Sequence, residues 1–243
     1  MGKAPGRLRF RPRPVAALFT ALALPLLIGL GIWQLDRLQW KGELIARVEQ
    51  RVQGEPQKLP AAITTPDRWD YRPVRLRGRF DHAHEFRLQS RTRDGQVGIH
   101  LVTPLIRAEG PPVLVDRGWV PWGPDAPENL EIARPEGTVT LVGLARTPPA
   151  AGPFTPAPEP RANRWYRIDP QRMAEVAGLD GVAPVFVEAA PSGPGTLPIG
   201  GQSRVEFRNQ HLNYALTWFF FALALLTIFI LSSLRREVPS AAR

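Results

Sequence analysis

The chain has 243 residues, enough for one compact core once two long apolar runs are set aside, and its mean hydropathy of -0.17 averages those runs away. It contains no cysteine, which excludes disulfides, thiolate-held zinc, iron–sulfur clusters and thiol copper sites. Of the net charge of +9, +5 lies before the first apolar run (Lys3, Arg7, Arg9, Arg11, Arg13) and +2 after the second, so the long middle carries only +2, a distribution that argues for membrane topology and against a nucleic-acid partner.

Residues 1–14 read as a basic cytoplasmic tail. Val15 to Trp33 is an uncharged run of 19 residues, about 28 Å of helix, which matches a hydrocarbon core, and the first transmembrane helix is placed at 15–35. Pro25 in its middle predicts a kink. A cleaved signal peptide is the rival reading, but Gly29-Leu30-Gly31 is a poor cleavage site and the run is long for one. Beyond Gln34 the spacing of Leu35, Leu38, Ile45, Val48 and Val52 continues the helix toward a stop near Gly54 and Pro56.

The chain then changes period. Val74, Leu76, Gly78 and Phe80 alternate with Arg75, Arg77 and Arg79, as in a half-buried strand. Further strands are expected at Phe86–Leu88, Gly98–Ile106, Val113–Val120, Val139–Ala145, Trp165–Ile168, Val185–Glu188 and Val205–Phe207, with Arg93-Asp94-Gly95 as a turn. Pro148–Arg161 is proline-rich and reads as an extended excursion. Asp169 and Pro170 announce a short helix to Ala177. The span 36–212 is therefore expected to be one β-rich extracytoplasmic domain, a small barrel or sandwich with minor helix. A second uncharged run, Ala215–Leu234, places the second transmembrane helix at 213–234, followed by a cytoplasmic tail at 235–243. The fold class is thus a membrane protein with two transmembrane α-helices flanking a β-rich domain.

Signatures of catalysis are missing: no phosphate-cradling glycine loop, no Gly-x-Ser-x-Gly elbow, no His-Glu-x-x-His helix. Asp116, Glu128, Asp169 and Glu188 are dispersed along the chain. His82 and His84 fall in a polar connection, better read as a solvated turn than as a metal site, and His100 reads as an ordinary surface or satisfied histidine facing opposite to Ile99 and Leu101. His211 stands apart, at the threshold of the second span, with Tyr214 and Trp218 placed by helical spacing on the same face. That cluster suits an interfacial polar cap with aromatic anchors. With Gln34 and Arg37 at the same membrane face, it equally suits a haem or lipid head groups.

Several stretches carry a family likeness: Gly31-Ile32-Trp33-Gln34-Leu35-Asp36-Arg37, Tyr71-Arg72-Pro73-Val74, Asp116-Arg117-Gly118-Trp119-Val120-Pro121, Trp165-Tyr166-Arg167-Ile168-Asp169, and Asn209-Gln210-His211-Leu212-Asn213-Tyr214-Ala215-Leu216-Thr217-Trp218. In order, from about residue 15 to 234, these resemble the Surfeit-locus-1 family of cytochrome oxidase assembly factors. The resemblance implies a non-enzymatic factor for a haem–copper oxidase that binds or positions haem a for insertion into subunit I, with haem a synthase as a further partner. It implies a bacterial inner-membrane protein with both termini in the cytoplasm and the domain in the periplasm. The family's haem-ligand histidine falls on His211, its Trp-Gln-Arg set on Trp33, Gln34 and Arg37, and its Arg-Gly-Trp on Arg117, Gly118 and Trp119. Asp116 stands where asparagine is more usual. A cofactor-free scaffold that stabilises an oxidase intermediate is the alternative.

Overall fold

The structure, a computed structural model, describes residues 8–124, 126–202 and 209–236. It divides into two compact units: a helical one formed by the two ends of the chain, and a β unit spanning Arg47–Val205. The strand expected at Val205–Phe207 lies outside the described residues.

In the helical unit, α1 runs Pro14–Val52 with Pro25 inside it, and α3 runs His211–Ser233. Both are long and apolar enough to cross a membrane. Unlike core helices of a soluble protein, they leave Leu18, Phe19, Leu22, Leu26, Phe220, Leu223 and Ile228 exposed, a surface that calls for lipid. Each helix turns small residues toward the other. Gly31 is so close that a Cβ there would stand 2.6 Å from the ring of Phe219, and Ala215 and Ala222 are buried. Tight approach of small residues is how helices pair where no hydrophobic drive exists between them. At the basic ends, β1 (Leu8–Phe10) and β10 (Leu234–Arg236) form an antiparallel pair, an element with no signal in the sequence pattern.

Among the described residues the β unit holds eight strands: β2 (Gln57–Lys58), β3 (Arg72–Phe80), β4 (Phe86–Arg93), β5 (Gln96–Arg107), β6 (Val113–Pro121), β7 (Val139–Arg146), β8 (Arg164–Trp165) and β9 (Phe186–Ala189). Their order is β2-β3-β7-β9-β6-β5-β4-β8, and a further pairing of β3 with β5 closes β3, β7, β9, β6 and β5 into a ring. The sheet is therefore a small barrel, with β4 and β8 extending from β5. Closure leaves few free edges. Inside it sit Val74, Leu76, Phe80, Leu105, Val113, Val115, Val185 and Val187.

The barrel is also covered on part of its outside. Helix α2 (Pro170–Val176) packs Met173 with Phe86, Leu88, Val102, Leu114 and Trp165. Asp169 caps it by accepting from the Arg172 amide, as the sequence predicts. Strand β8 ends at Trp165, earlier than expected, because Ile168 and Asp169 already turn the chain into α2. The β4–β5 hairpin closes through Asp94 (φ 49) and Gly95 (φ +81), both left-handed as a tight two-residue hairpin requires. Between Thr147 and Glu159 no regular element forms, in line with the proline content.

Candidate functional site

Two places gather chemistry-bearing side chains, one in each unit.

In the helical unit, His211 opens α3 and Gln34 lies on the face of α1 that packs against it. The His211 Nδ1–H donates to Gln34 Oε1 at 2.7 Å. An amide oxygen can only accept, so in the neutral imidazole the bond selects the Nδ1–H tautomer and leaves the lone pair on Nε2. One helical turn along α1, the Leu38 carbonyl accepts from Asn209 Nδ2 at 3.3 Å, which ties the residues leading into α3 to the same face of α1. Arg37 lies over the rings of Trp33 and Trp40, its guanidinium carbon 5.7 and 5.4 Å from their centroids. Trp33 is 48% exposed and Trp40 54%, so this stripe is open. Trp218 is half-buried and edge-on to Phe221. Tyr214, three residues on from His211, is 54% exposed, while Ala215 beside it takes the buried position. Three residues along a helix leave Tyr214 about 60° round from His211, and tight packing at Ala215 decides which of them faces α1.

The β unit shows what the Arg117-Gly118-Trp119 stretch does. Arg117 is 6% exposed; it donates to Glu85 at 2.9 Å and to the Ala133 carbonyl, and lies 5.3 Å from the Phe80 ring centroid. Burial lowers its pKa, and the Glu85 carboxylate works in the opposite direction. Gly118 has φ +120, and a Cβ there would stand 2.0 Å from the Ile199 carbonyl oxygen. Trp119 is buried, exchanging backbone hydrogen bonds with Ile199 at 2.9 and 2.8 Å. This motif holds the 197–200 segment and the 133 loop onto the barrel; it is built into packing.

The carboxylates that look dispersed in sequence are partly brought together. Asp116 and Glu188 face each other in the β6–β9 register. Asp116 accepts from His100 Nδ1 at 2.8 Å and from the Gly118 amide at 3.0 Å, so His100 is a satisfied histidine, as expected. Glu188 accepts from Arg146 at 3.1 Å, and Arg146 also reaches Asp70 and the Tyr71 hydroxyl. Burial pushes the Glu188 pKa up; Arg146 opposes that shift and Asp116 adds to it. His100, Asp116, Arg146 and Glu188 line a cavity of about 440 Å³ with Arg91 and Tyr166. Sequence reading missed this network because its members are joined only by strand register. Asp169 instead pairs with Arg167. His82 and His84 occupy a 3₁₀ turn and are engaged separately, by the Pro135 carbonyl and by Asp81.

A family model described as the SURF1 family matches residues 21–223. The chain belongs to the SURF1 family. Among relatives, Surfeit locus protein 1 of Mus musculus is 40% identical over 211 residues, covering 79% of this chain and 67% of its own length. The human protein of the same name is 39% identical over 212 residues, with 79% and 68% covered. A SURF1-like protein of Monosiga brevicollis is 34% identical over 230 residues, with 89% and 86% covered. The matched region runs through Trp33, Gln34, Arg37, His211, Tyr214 and Trp218 as well as Arg117-Gly118-Trp119, so both places lie inside the SURF1 frame.

Proposed function

We propose that this SURF1-family chain is an assembly factor for a haem–copper cytochrome oxidase, and that it binds or positions haem a at the His211 end of its helix pair for insertion into subunit I. The observation that carries the reading is the His211–Gln34 hydrogen bond, which presents Nε2 with its lone pair free, the donor an axial haem site needs. The residues present fit the group. His211 would hold the iron, Arg37 would meet propionate carboxylates, and Trp33, Trp218 and Tyr214 would supply flat aromatic surface. The protein catalyses no reaction of its own in this reading. Its partners are subunit I, haem a synthase and the bilayer. Its place is a bacterial inner membrane, with both tails cytoplasmic and the barrel periplasmic.

The test is the absorption spectrum of detergent-purified full-length protein, co-expressed with haem a synthase, for wild type, His211→Ala and Gln34→Leu. A haem a spectrum in the wild type, lost in His211→Ala and weakened in Gln34→Leu, is the expected result. Melting curves separate loss of haem from loss of fold. Absence of haem from a well-folded wild type sinks the proposal and leaves the cofactor-free scaffold.

A further inference from the structure

The outward face of β3 carries Arg75, Arg77 and Arg79, all exposed, while Val74, Leu76 and Phe80 between them enter the barrel. None of the three guanidiniums has a hydrogen-bonded or ionic partner among the described residues, whereas other arginines of the unit, Arg107, Arg117, Arg146, Arg164, Arg167 and Arg172 among them, are engaged. The row borders a groove of about 780 Å³. Lys58, paired in register with Arg75, stands at one end, and Arg107 lines the groove as well. Arg107 spends Nε and Nη1 on the carbonyls of Pro111, Leu59 and Pro60, and its Nη2 is buried with no partner. Against these five cations the groove lining offers one carboxylate, Glu109, already held by Lys58 at 2.8 Å. Its surplus of four positive charges is twice that of the whole segment between the tails.

We infer that this groove is a docking site for an acidic, extended polypeptide segment of a partner protein. Alternate residues of a strand repeat at about 6.6 Å, so carboxylates at every second position of an extended segment match the spacing of Arg75, Arg77 and Arg79. Guanidiniums take carboxylates through forked hydrogen bonds. Thr140 on β7 and Thr138 just before it add hydroxyls along the same wall, and Ile106 and Ala108 add apolar surface for the side chains between the carboxylates. The occupant has to enter a concavity, which favours a single chain over the flat array of a lipid surface. The lining holds no aromatic side chain on which a nucleobase would stack. Strands β2 and β5 already pair with the two ends of one edge of β3 and β7 runs along the other, so recognition rests on side chains rather than on strand addition.

The inference is independent of haem binding and is tested on the full-length protein in zwitterionic nanodiscs. The probe is a fluorescently labelled peptide of alternating Glu and Val, read by anisotropy against salt. Three variants are compared: wild type, Arg75→Gln/Arg77→Gln/Arg79→Gln, and Arg68→Gln/Arg161→Gln/Arg172→Gln, which removes the same charge outside the groove. The expected result is saturable, salt-sensitive binding that weakens roughly tenfold in the β3 variant and changes little in the control. No binding by the wild type at low salt overturns the inference. So does equal weakening in both variants, which would mean diffuse charge. Preferential binding of phosphatidylglycerol vesicles, abolished by the β3 variant while peptide binding persists, overturns it in favour of a lipid-facing surface.

Discussion

Arg117→Met tests whether the most recognisable motif of the chain is architectural. Arg117 and Glu85 are a buried ion pair, their side chains 6% and 12% exposed. Methionine keeps much of the bulk against Phe80 but leaves Glu85 with only the Thr103 hydroxyl at 3.1 Å and the exposed Arg134 at 3.7 Å. Breaking a buried pair from one side costs about 3–5 kcal/mol, because a charge stays behind without compensation. The Ala133 carbonyl loses its donor too, a further ~1 kcal/mol. For a unit of this size, Arg47–Val205, the summed loss of about 5 kcal/mol lowers the Tm by roughly 15 °C. Buried Trp119 and Trp165 report that unfolding by fluorescence. Glu85→Gln on top of Arg117→Met removes the stranded charge and keeps the acceptor for Thr103, and is expected to recover about half of the loss. A single-variant shift under about 3 °C, or a double variant no more stable than the single, refutes the reasoning. Haem content per folded protein is expected to be the same in wild type and Arg117→Met.

Gly118→Ala should be worse than its size suggests, by about 3 kcal/mol or more, since φ +120 and the Ile199 carbonyl at 2.0 Å leave no room for a Cβ; thermal melts of the purified protein check it. Glu188 has its folded pKa raised chiefly by burial. Its contribution to stability is therefore complete below the ordinary glutamate value and lost as pH rises through the raised one. Glu188→Gln should flatten the fall in Tm as pH rises above the ordinary glutamate range; identical slopes in both proteins would contradict it. Gln34→Leu takes away the acceptor of His211 Nδ1 and should lower haem affinity by roughly 10–100-fold while His211 itself remains, measured by haem titration of the purified protein.

What the sequence discloses and what it hides divide along physical lines. Strand β3 is legible because one face is wet: arginines alternate with Val74, Leu76 and Phe80. Strand β6 is buried along its whole length, so its apolar run marks it as a strand without saying what covers either side. The β4–β5 turn follows from Asp94-Gly95 chemistry, and the α2 start from Asp169-Pro170. Closure of the barrel is not legible, since Gly78 pairs with Val139 of β7 on one side and Arg107 of β5 on the other, and nothing local encodes two neighbours. The same holds for Asp116 and Glu188, 72 positions apart in sequence and opposite one another in space. The packed side of α3 is hidden for another reason: spacing gives an angle on the helix, but Ala215 and Gly31 fix which side comes close enough to pack.

The two stripes at the end of α1 divide the labour of the proposed site. Gln34 and Leu38, one turn apart, face α3, where they meet His211 and Asn209. Trp33, Arg37 and Trp40, at spacings of four and three, form a second stripe about 110° away round the helix that is open rather than packed. An interfacial cap uses polar groups, tryptophans and an arginine at this depth, but it does not call on the Nε2 of His211 and the Arg37 guanidinium together. A ligand that combines a metal seeking Nε2 with carboxylates seeking Arg37 uses both stripes at once. The proposed haem site engages both stripes together, whereas an interfacial anchor needs only that polar and aromatic groups sit at this level of the helix pair.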